Sequence, residues 1–226
     1  MCQPRSERKF LIRYADYLAL KSRLRVLLQL DRNSGESGEY RIRSLYFDTP
    51  GDRALREKLA GVSRREKFRL RYYGDNIDLI RLEKKAKENG LGVKITCPLT
   101  AEECGLLITG RTDELDTRDR GVLTELVSKM KSQGLRPRTV VDYTREAYVY
   151  GPGNVRITFD RDIRSGVSAV DFLDREIPTV PVLDPGTLVL EVKFDAYLPT
   201  AVADLLQMDT GGEMAVSKYG LCRFYR

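Results

Sequence analysis

The chain has 226 residues, enough for one large domain or two small ones, and its 42% hydrophobic content can bury a real core, so disorder is not its default state. It contains no histidine, which excludes Ser-His-Asp and Cys-His nucleophile systems, a histidine general base and imidazole-metal sites. The net charge of +6 suits an anionic partner such as a nucleotide, a phosphate polymer, nucleic acid or a membrane surface, and equally suits a merely soluble basic protein.

In chain order, residues 7–14 are predicted as a short strand. A helix is expected over 15–30, with Tyr17, Leu18, Leu24, Leu27 and Leu28 as its apolar stripe. Residues 31–39 form a loop, 40–47 a strand, and 52–59 a short helix after the Asp48-Thr49-Pro50-Gly51 turn. Residues 64–73 alternate strictly: Lys67, Arg69 and Arg71 occupy one face of a strand, Phe68, Leu70 and Tyr72 the other. A Gly74-Asp75 turn leads to a returning strand over 77–87, with Ile80 and Leu82 on one face and Arg81, Glu83, Lys85 and Lys87 on the other, making a hairpin. After Glu88-Asn89-Gly90, residues 93–97 give another strand.

Thr100 caps a helix with Glu103 three residues on, and a second amphipathic helix is expected over 117–133, stopped by Gly134. Strands follow over 138–150 and 155–163 around a Gly151-Pro152-Gly153 turn, with Ile157, Phe159 and Ile163 alternating against Arg156, Thr158, Asp160 and Asp162. Residues 165–186 read as loop with a little extended structure. Residues 188–195 form the clearest strand, with Leu188, Leu190, Val192 and Phe194 opposed to Glu191, Lys193 and Asp195. A short helix over 199–207 and a helix or extended piece over 215–225 complete the chain.

Cys2, Cys97, Cys104 and Cys222 show neither a CxxC pair nor metal spacing, so a reduced chain is expected rather than a disulfide framework or structural zinc. No apolar run approaches the roughly 20 residues that span a bilayer and no signal peptide is seen, so a cytoplasmic protein is expected. Gly90-Leu91-Gly92-Val93-Lys94 lacks P-loop spacing, and no RNP1 run, KH loop or zinc-finger spacing occurs, so nucleic acid is not the expected partner.

Two arrangements satisfy strands that each pair an apolar face with a face of Lys, Arg and Glu. An antiparallel sheet can bury the apolar face under helices and leave the charged face in water, or it can close into a barrel with charged faces inward and helices outside. Cations outnumber carboxylates on those faces, and enclosing them is favourable only around a polyanion such as triphosphate or polyphosphate. Glu191 and Glu7 could hold a hard divalent cation bridging phosphate oxygens, or simply neutralise neighbouring lysines.

The ordered stretches Glu7-Arg8-Lys9-Phe10, Ser44-Leu45-Tyr46-Phe47-Asp48-Thr49, Lys67-Phe68-Arg69-Leu70-Arg71, Leu82-Glu83-Lys84-Lys85, Tyr143-Thr144-Arg145, Arg156-Ile157-Thr158-Phe159-Asp160, Leu190-Glu191-Val192-Lys193 and Ser217-Lys218-Tyr219 resemble the VTC domain, the polyphosphate polymerase module of the vacuolar transporter chaperone complex. It belongs to the triphosphate tunnel metalloenzymes with the CYTH phosphatases, and the resemblance spans nearly the whole chain as a single domain over 1–226. It implies an α+β fold: a closed antiparallel β-barrel, the triphosphate tunnel, with a basic interior and helices packed outside. By position it implies phosphate binding by Lys9, Arg69, Arg71, Lys85, Arg145, Arg156, Lys193 and Lys218, with Lys67 and Lys94 as further contacts. Tyr143 and Ser217 would donate hydrogen bonds, Glu191 would hold Mn²⁺ or Mg²⁺, and Glu7 or Glu83 would be a second metal carboxylate.

The implied activity is metal-dependent transfer of the γ-phosphate of ATP, or of another nucleoside triphosphate, to inorganic polyphosphate. The alternatives are a CYTH-type triphosphatase or polyphosphatase and a non-catalytic polyphosphate- or nucleotide-binding module. The sensing domain and membrane-spanning region of eukaryotic family members have no counterpart in these residues, so membrane association is expected to need a separate partner.

Overall fold

A computed structural model describes residues 5–35, 37–88, 91–169, 171–208 and 212–224. Its strands are β1 (Ser6–Arg13), β2 (Gln29–Leu30), β3 (Glu39–Asp48), β4 (Arg65–Tyr73), β5 (Asn76–Glu88), β6 (Leu91–Leu99), β7 (Arg136–Tyr150), β8 (Val155–Gly166), β9 (Thr179–Pro181) and β10 (Thr187–Phe194). The helices are α1 (Tyr14–Leu24), α2 (Arg53–Leu59), α3 (Ala101–Thr109), α4 (Gly121–Gln133), α5 (Thr200–Leu205) and α6 (Lys218–Phe224). The strand order is β1-β10-β8-β7-β3-β4-β5-β6, with β2 added to β7 and β9 to β8.

The α+β class therefore holds, with one large antiparallel sheet. Hydrogen bonding among the described residues does not close it into the expected barrel. Closure requires both edge strands to exchange ladder bonds, and neither β1 nor β6 has a second strand neighbour in this order. The outer edge of β1 is instead met by a short segment: Phe10 bridges Glu213, and Met214 N–H donates to the Lys9 carbonyl at 2.8 Å.

Two compact units divide the chain. The first comprises Met1–Arg41, Tyr143–Arg164 and Pro181–Leu221. In it β10 pairs on one side with β1, Lys9 opposite Glu191, and on the other with β8, Glu191 opposite Thr158. The alternation of these strands sends Ile12, Leu188, Leu190, Val192, Ile157 and Phe159 to a core capped by Tyr17, Leu20 and Leu24 of α1.

The second unit comprises Ile42–Asp142, Ser165–Val180 and Cys222–Arg226. Here β3, β4, β5 and β6 are antiparallel neighbours. Phe68, Leu70, Tyr72, Ile80 and Leu82 pack against Leu107 of α3 and Leu123 and Leu126 of α4, as the strand alternation requires. Thr100 and Glu103 form the expected capping box of α3, and Gly134 ends α4 with φ 70°, a left-handed conformation that suits glycine.

Several boundaries differ from expectation. The helix expected over 15–30 stops at Leu24, because Gln29 and Leu30 pair with Val149 and Tyr148 as strand β2. Its buried stripe is Tyr17, Leu20, Leu24 and Leu28, whereas Leu18 and Leu27 are exposed. The helix expected from 117 begins at Gly121: Thr124 Oγ1 donates to the Thr117 carbonyl, and Arg120 is drawn to Glu103 and to the Pro98 carbonyl. β6, β7 and β8 run longer than their periodic cores, because ladder pairing carries past the alternating residues. α6 begins only at Lys218; Tyr225, in the segment expected over 215–225, lies outside the described residues, as do Cys2 and the Asn89-Gly90 turn. Cys97, Cys104 and Cys222 are buried and form no disulfide among the described residues, and no helix among them is long and apolar enough to cross a membrane.

Candidate functional site

Each unit builds its own cluster of cations around buried carboxylates, on the sheet face opposite its apolar core. In the first unit the ladder sets a square of alternating charge. Glu7 stands opposite Lys193 and Lys9 opposite Glu191, and residues paired across antiparallel strands point to the same side. Lys9 Nζ lies 2.7 Å from Glu7 Oε1, and Lys193 pairs with Glu191.

On β8 and β7 the same face carries Asp160 and Arg145, joined by a bidentate pair with Nε–Oδ1 at 2.6 Å and Nη2–Oδ2 at 2.8 Å. Lys218, at the start of α6, makes an ion pair with the same carboxylate. Arg145 also lies 4.0 Å from Glu191 Oε2. The Tyr143 ring carries both cations, with Arg145 5.4 Å and Lys218 5.1 Å from its centroid.

Burial shapes the charges here. It alone would push Glu191 and Asp160 up, but neighbouring cations outweigh it: Lys193, Lys218, Lys9 and Arg145 hold Glu191 well below the usual carboxylate range, and Arg145 and Lys218 hold Asp160 down. Burial pulls the Lys193 ammonium below its ordinary value in spite of Glu191 and Glu7. Lys218 goes the other way, because Asp160 and Tyr143 more than offset its burial.

In the second unit the centre is Glu83, fully buried on β5. Arg69 Nε donates to its Oε2 at 2.6 Å, and Arg71 Nη1 lies 3.9 Å from the same oxygen. Lys94 Nζ lies 2.7 Å from Oε1 as an ion pair. Burial would raise the Glu83 carboxyl, yet Arg69, Arg71 and Lys94 keep it far below the usual range.

Arg69 Nη1 also donates to the Tyr46 hydroxyl at 2.9 Å, and Arg71 Nε to Ser44 Oγ at 3.0 Å. Burial raises the Tyr46 phenol, but Arg69 and Arg71 bring it below its ordinary value. Lys67 and Lys85 face each other one register step along the same face.

The expected residues thus fall into two groups. Glu7, Lys9, Tyr143, Arg145, Glu191, Lys193 and Lys218 are gathered in the first unit, and Lys67, Arg69, Arg71, Lys85 and Lys94 share one face of the second. Two others are engaged locally. Arg156 stands opposite Lys193 in the ladder, but its guanidinium donates to Asp31 at 2.7 Å and to the Tyr40 hydroxyl at 3.0 Å. Ser217 Oγ accepts the Gly220 N–H at 3.3 Å, a helix-capping role for α6.

Asp160, Tyr46, Ser44, Asp31 and Tyr40 received no role from the sequence. For Asp160 the signal existed, since alternation places it on the Arg156 face; its pairing with Arg145 needed the fold. Among the described residues no three acidic or thiol side chains converge as a ready metal cage. Glu191 and Glu7 share a face all the same, and one or two carboxylates completed by substrate phosphate oxygens suit Mg²⁺ or Mn²⁺.

A solved structure of low sequence identity shares this fold. A candidate adenylate cyclase from Bacillus halodurans superimposes with a TM-score of 0.51 at 15% identity, covering 90% of this chain and 86% of that one. The PH1819 protein from Pyrococcus horikoshii covers 98% and 99% of the two chains at 14% identity, with a TM-score of 0.49. None of the curated proteins matches the chain. The VTC domain model matches residues 4–224, from before β1 to the end of α6, and the chain belongs to that family.

Proposed function

We propose that this protein is an ATP-dependent polyphosphate polymerase that transfers the nucleotide γ-phosphoryl group to the end of a polyphosphate chain. The observation that carries this reading is the buried Glu191 ringed by Lys9, Lys193, Lys218 and Arg145, a cation excess beside a carboxylate in a chain without histidine. Family membership supports it at the level of nucleotide and polyphosphate chemistry. The closed tunnel implied by the family resemblance belongs to this proposal, together with Mn²⁺ or Mg²⁺ and the phosphate-binding roles.

In the reaction the bond from the γ-phosphorus to the β,γ-bridging oxygen breaks, a bond to a terminal oxygen of the acceptor chain forms, and ADP leaves. The acceptor oxygen is already anionic, so no general base is required, and the demand on the protein is positioning and charge neutralisation. Arg145 offers forked N–H donors to phosphate oxygens, while Lys9, Lys193 and Lys218 act as point charges. Asp160 holds Arg145 and Lys218 in place before substrate arrives, and the depressed pKa of Lys193 makes phosphate binding fade earlier at alkaline pH than an ordinary lysine would allow. Glu191, with Glu7 beside it, would hold a divalent cation, which would supply positive charge to offset that of the phosphate groups.

The test is incubation of the purified protein with ATP and Mn²⁺, with and without a short polyphosphate primer, resolving polymer, orthophosphate and ADP. Polymer formation is expected. Orthophosphate without polymer would instead establish a hydrolase, and polyphosphate binding without turnover a binding module. Glu191→Gln is expected to lower metal-dependent turnover by ~10²-fold or more while leaving the thermal melt cooperative; full activity in this variant rejects its ligand role.

A further inference from the structure

α1 has a second face that its own unit leaves uncovered. Tyr17, Leu20, Leu24 and Leu28 are buried against the core, whereas Tyr14, Ala15, Leu18, Ala19, Ser22 and Val26 are all exposed. The helical turn continues past Leu24: Arg25 N–H donates to the Lys21 carbonyl at 3.2 Å and Leu28 N–H to the Leu24 carbonyl at 2.8 Å. At about 3.6 residues per turn these exposed positions fall on one continuous stripe, and none of them is charged. A surface helix ordinarily presents charged side chains to water on this side. Here Leu18 is 50% and Val26 84% exposed instead.

The borders of the stripe carry the complementary groups. Asp16 and Arg23 lie on one border, seven positions apart, and Tyr14 and Arg25 lie on the other, eleven apart. Both pairs have the same midpoint, between Ala19 and Leu20. Turning the helix end for end about that point therefore exchanges Asp16 with Arg23 and Tyr14 with Arg25.

That exchange makes the stripe complementary to itself. In an isologous antiparallel pair each border meets the same border of the other helix, run in reverse. Asp16 of one copy then meets Arg23 of the other, and the ring of Tyr14 meets the Arg25 guanidinium, each contact occurring twice. Leu18 and Val26 would fill the space left by the small side chains of Ala15, Ala19 and Ser22.

The border cations have capacity for these contacts. Arg23 spends one N–H on the Gln207 carbonyl at 2.9 Å, and no carboxylate among the described residues makes an ion pair with it. Arg25 donates to the Tyr148 hydroxyl at 3.3 Å and lies 4.0 Å from Glu146, yet its side chain is 57% exposed. Asp16 Oδ2 accepts the Arg13 N–H at 3.1 Å, which places its carboxylate at the first turn of α1. An anionic bilayer would repel this carboxylate; a second copy uses it.

We infer that the outward face of α1 is a docking surface for a second copy of this chain, forming a two-fold dimer whose α1 helices run antiparallel and cross near Ala19. This goes beyond the phosphate chemistry and does not depend on it. One short helix buries less than the roughly 800 Å² per partner of a standard interface, so the dissociation constant is expected at about 10–100 μM.

Sedimentation velocity of the full chain over about 1–300 μM is the test, with thermal melts as folding controls. The wild-type chain is expected to pass from monomer to dimer. Leu18→Glu should weaken association ~30-fold or more, and Asp16→Lys or Arg23→Glu, each setting like charges opposite one another twice, ~10-fold. An equimolar mixture of Asp16→Lys and Arg23→Glu restores both ion pairs and should recover near wild-type association.

If Asp16→Lys melts early through loss of its cap, Arg23→Glu alone carries the comparison: added salt should strengthen its association and weaken that of wild type. A wild-type chain that stays monomeric overturns the inference, as does a dimer indifferent to Leu18→Glu. So does a mixture of the two folded charge variants that associates no better than either alone. Binding of a monomeric chain to anionic phospholipid vesicles, lost in Leu18→Glu, would assign the face to a membrane and equally overturn the dimer.

Discussion

Glu83 and Asp160 organise the cations of the two units, each buried with more than one partner. A carboxylate held below its ordinary pKa stabilises the fold above the unfolded value and loses that contribution as pH falls through the folded one. Glu83 is such a group, since its cations more than offset its burial. Glu83→Gln strands Arg69 and Arg71 with much of their neutralisation gone, and is expected to destabilise by about 3 kcal/mol at neutral pH. The deficit relative to wild type should shrink from about pH 5 downward, as Glu83 of the unfolded wild-type chain takes up a proton while the folded chain still holds its carboxylate ionised. Denaturant titrations of both proteins at neutral and acid pH check this, and a deficit that stays constant would show that packing, not charge, is responsible. Alternation already placed Glu83 and Asp160 on cationic faces. That each would be the hub could not be read, because their partners depend on the register of adjacent strands and, for Asp160, on Lys218 of a helix distant in sequence.

β4 shows how far a single element can be read. Its two-residue period assigned both faces correctly: Phe68 and Leu70 lie in the helix-covered core, and Arg69 and Arg71 at Glu83. Phe68 is 1% exposed and has Lys84 and Lys129 over its ring at 5.7 Å and 5.3 Å. Phe68→Ala is expected to lose about 3–5 kcal/mol of stability, with phosphate affinity retained in the folded fraction because the side chain points away from the cations. Chemical denaturation beside a binding titration separates the two effects. The helices were less legible than the strands. Residues 25–30 continue an apolar pattern but are claimed by pairing with β7, and residues 117–120 are claimed by contacts to α3 and the end of β6. In both cases a tertiary partner outweighed a local preference that is worth less than a kilocalorie per residue.

At the scale of the molecule, an excess of cations is gathered on polar sheet faces in a chain of net charge +6. Self-repulsion of this kind is relieved by a bound polyanion and by salt. Tripolyphosphate at about 100 times its dissociation constant should therefore stabilise the chain by ~2.7 kcal/mol, read as a rise in melting temperature beyond that given by chloride or sulfate at equal ionic strength. A rise no larger than that of the matched salt would argue against a specific phosphate site.

The family and the α+β class were legible from sequence, because ordered motifs and a two-residue charge alternation survive in one dimension. The lack of histidine restricted the chemistry before any fold was known. Tertiary structure decided which carboxylate each cation meets, that Arg156 is held by Asp31 and Tyr40, that Ser217 caps α6, and that hydrogen bonds leave the sheet open among the described residues. The physical reason is that alternation determines the face on which a side chain stands, whereas its partner depends on strand register and on residues that can lie far off in sequence, as Asp31 lies 125 positions from Arg156.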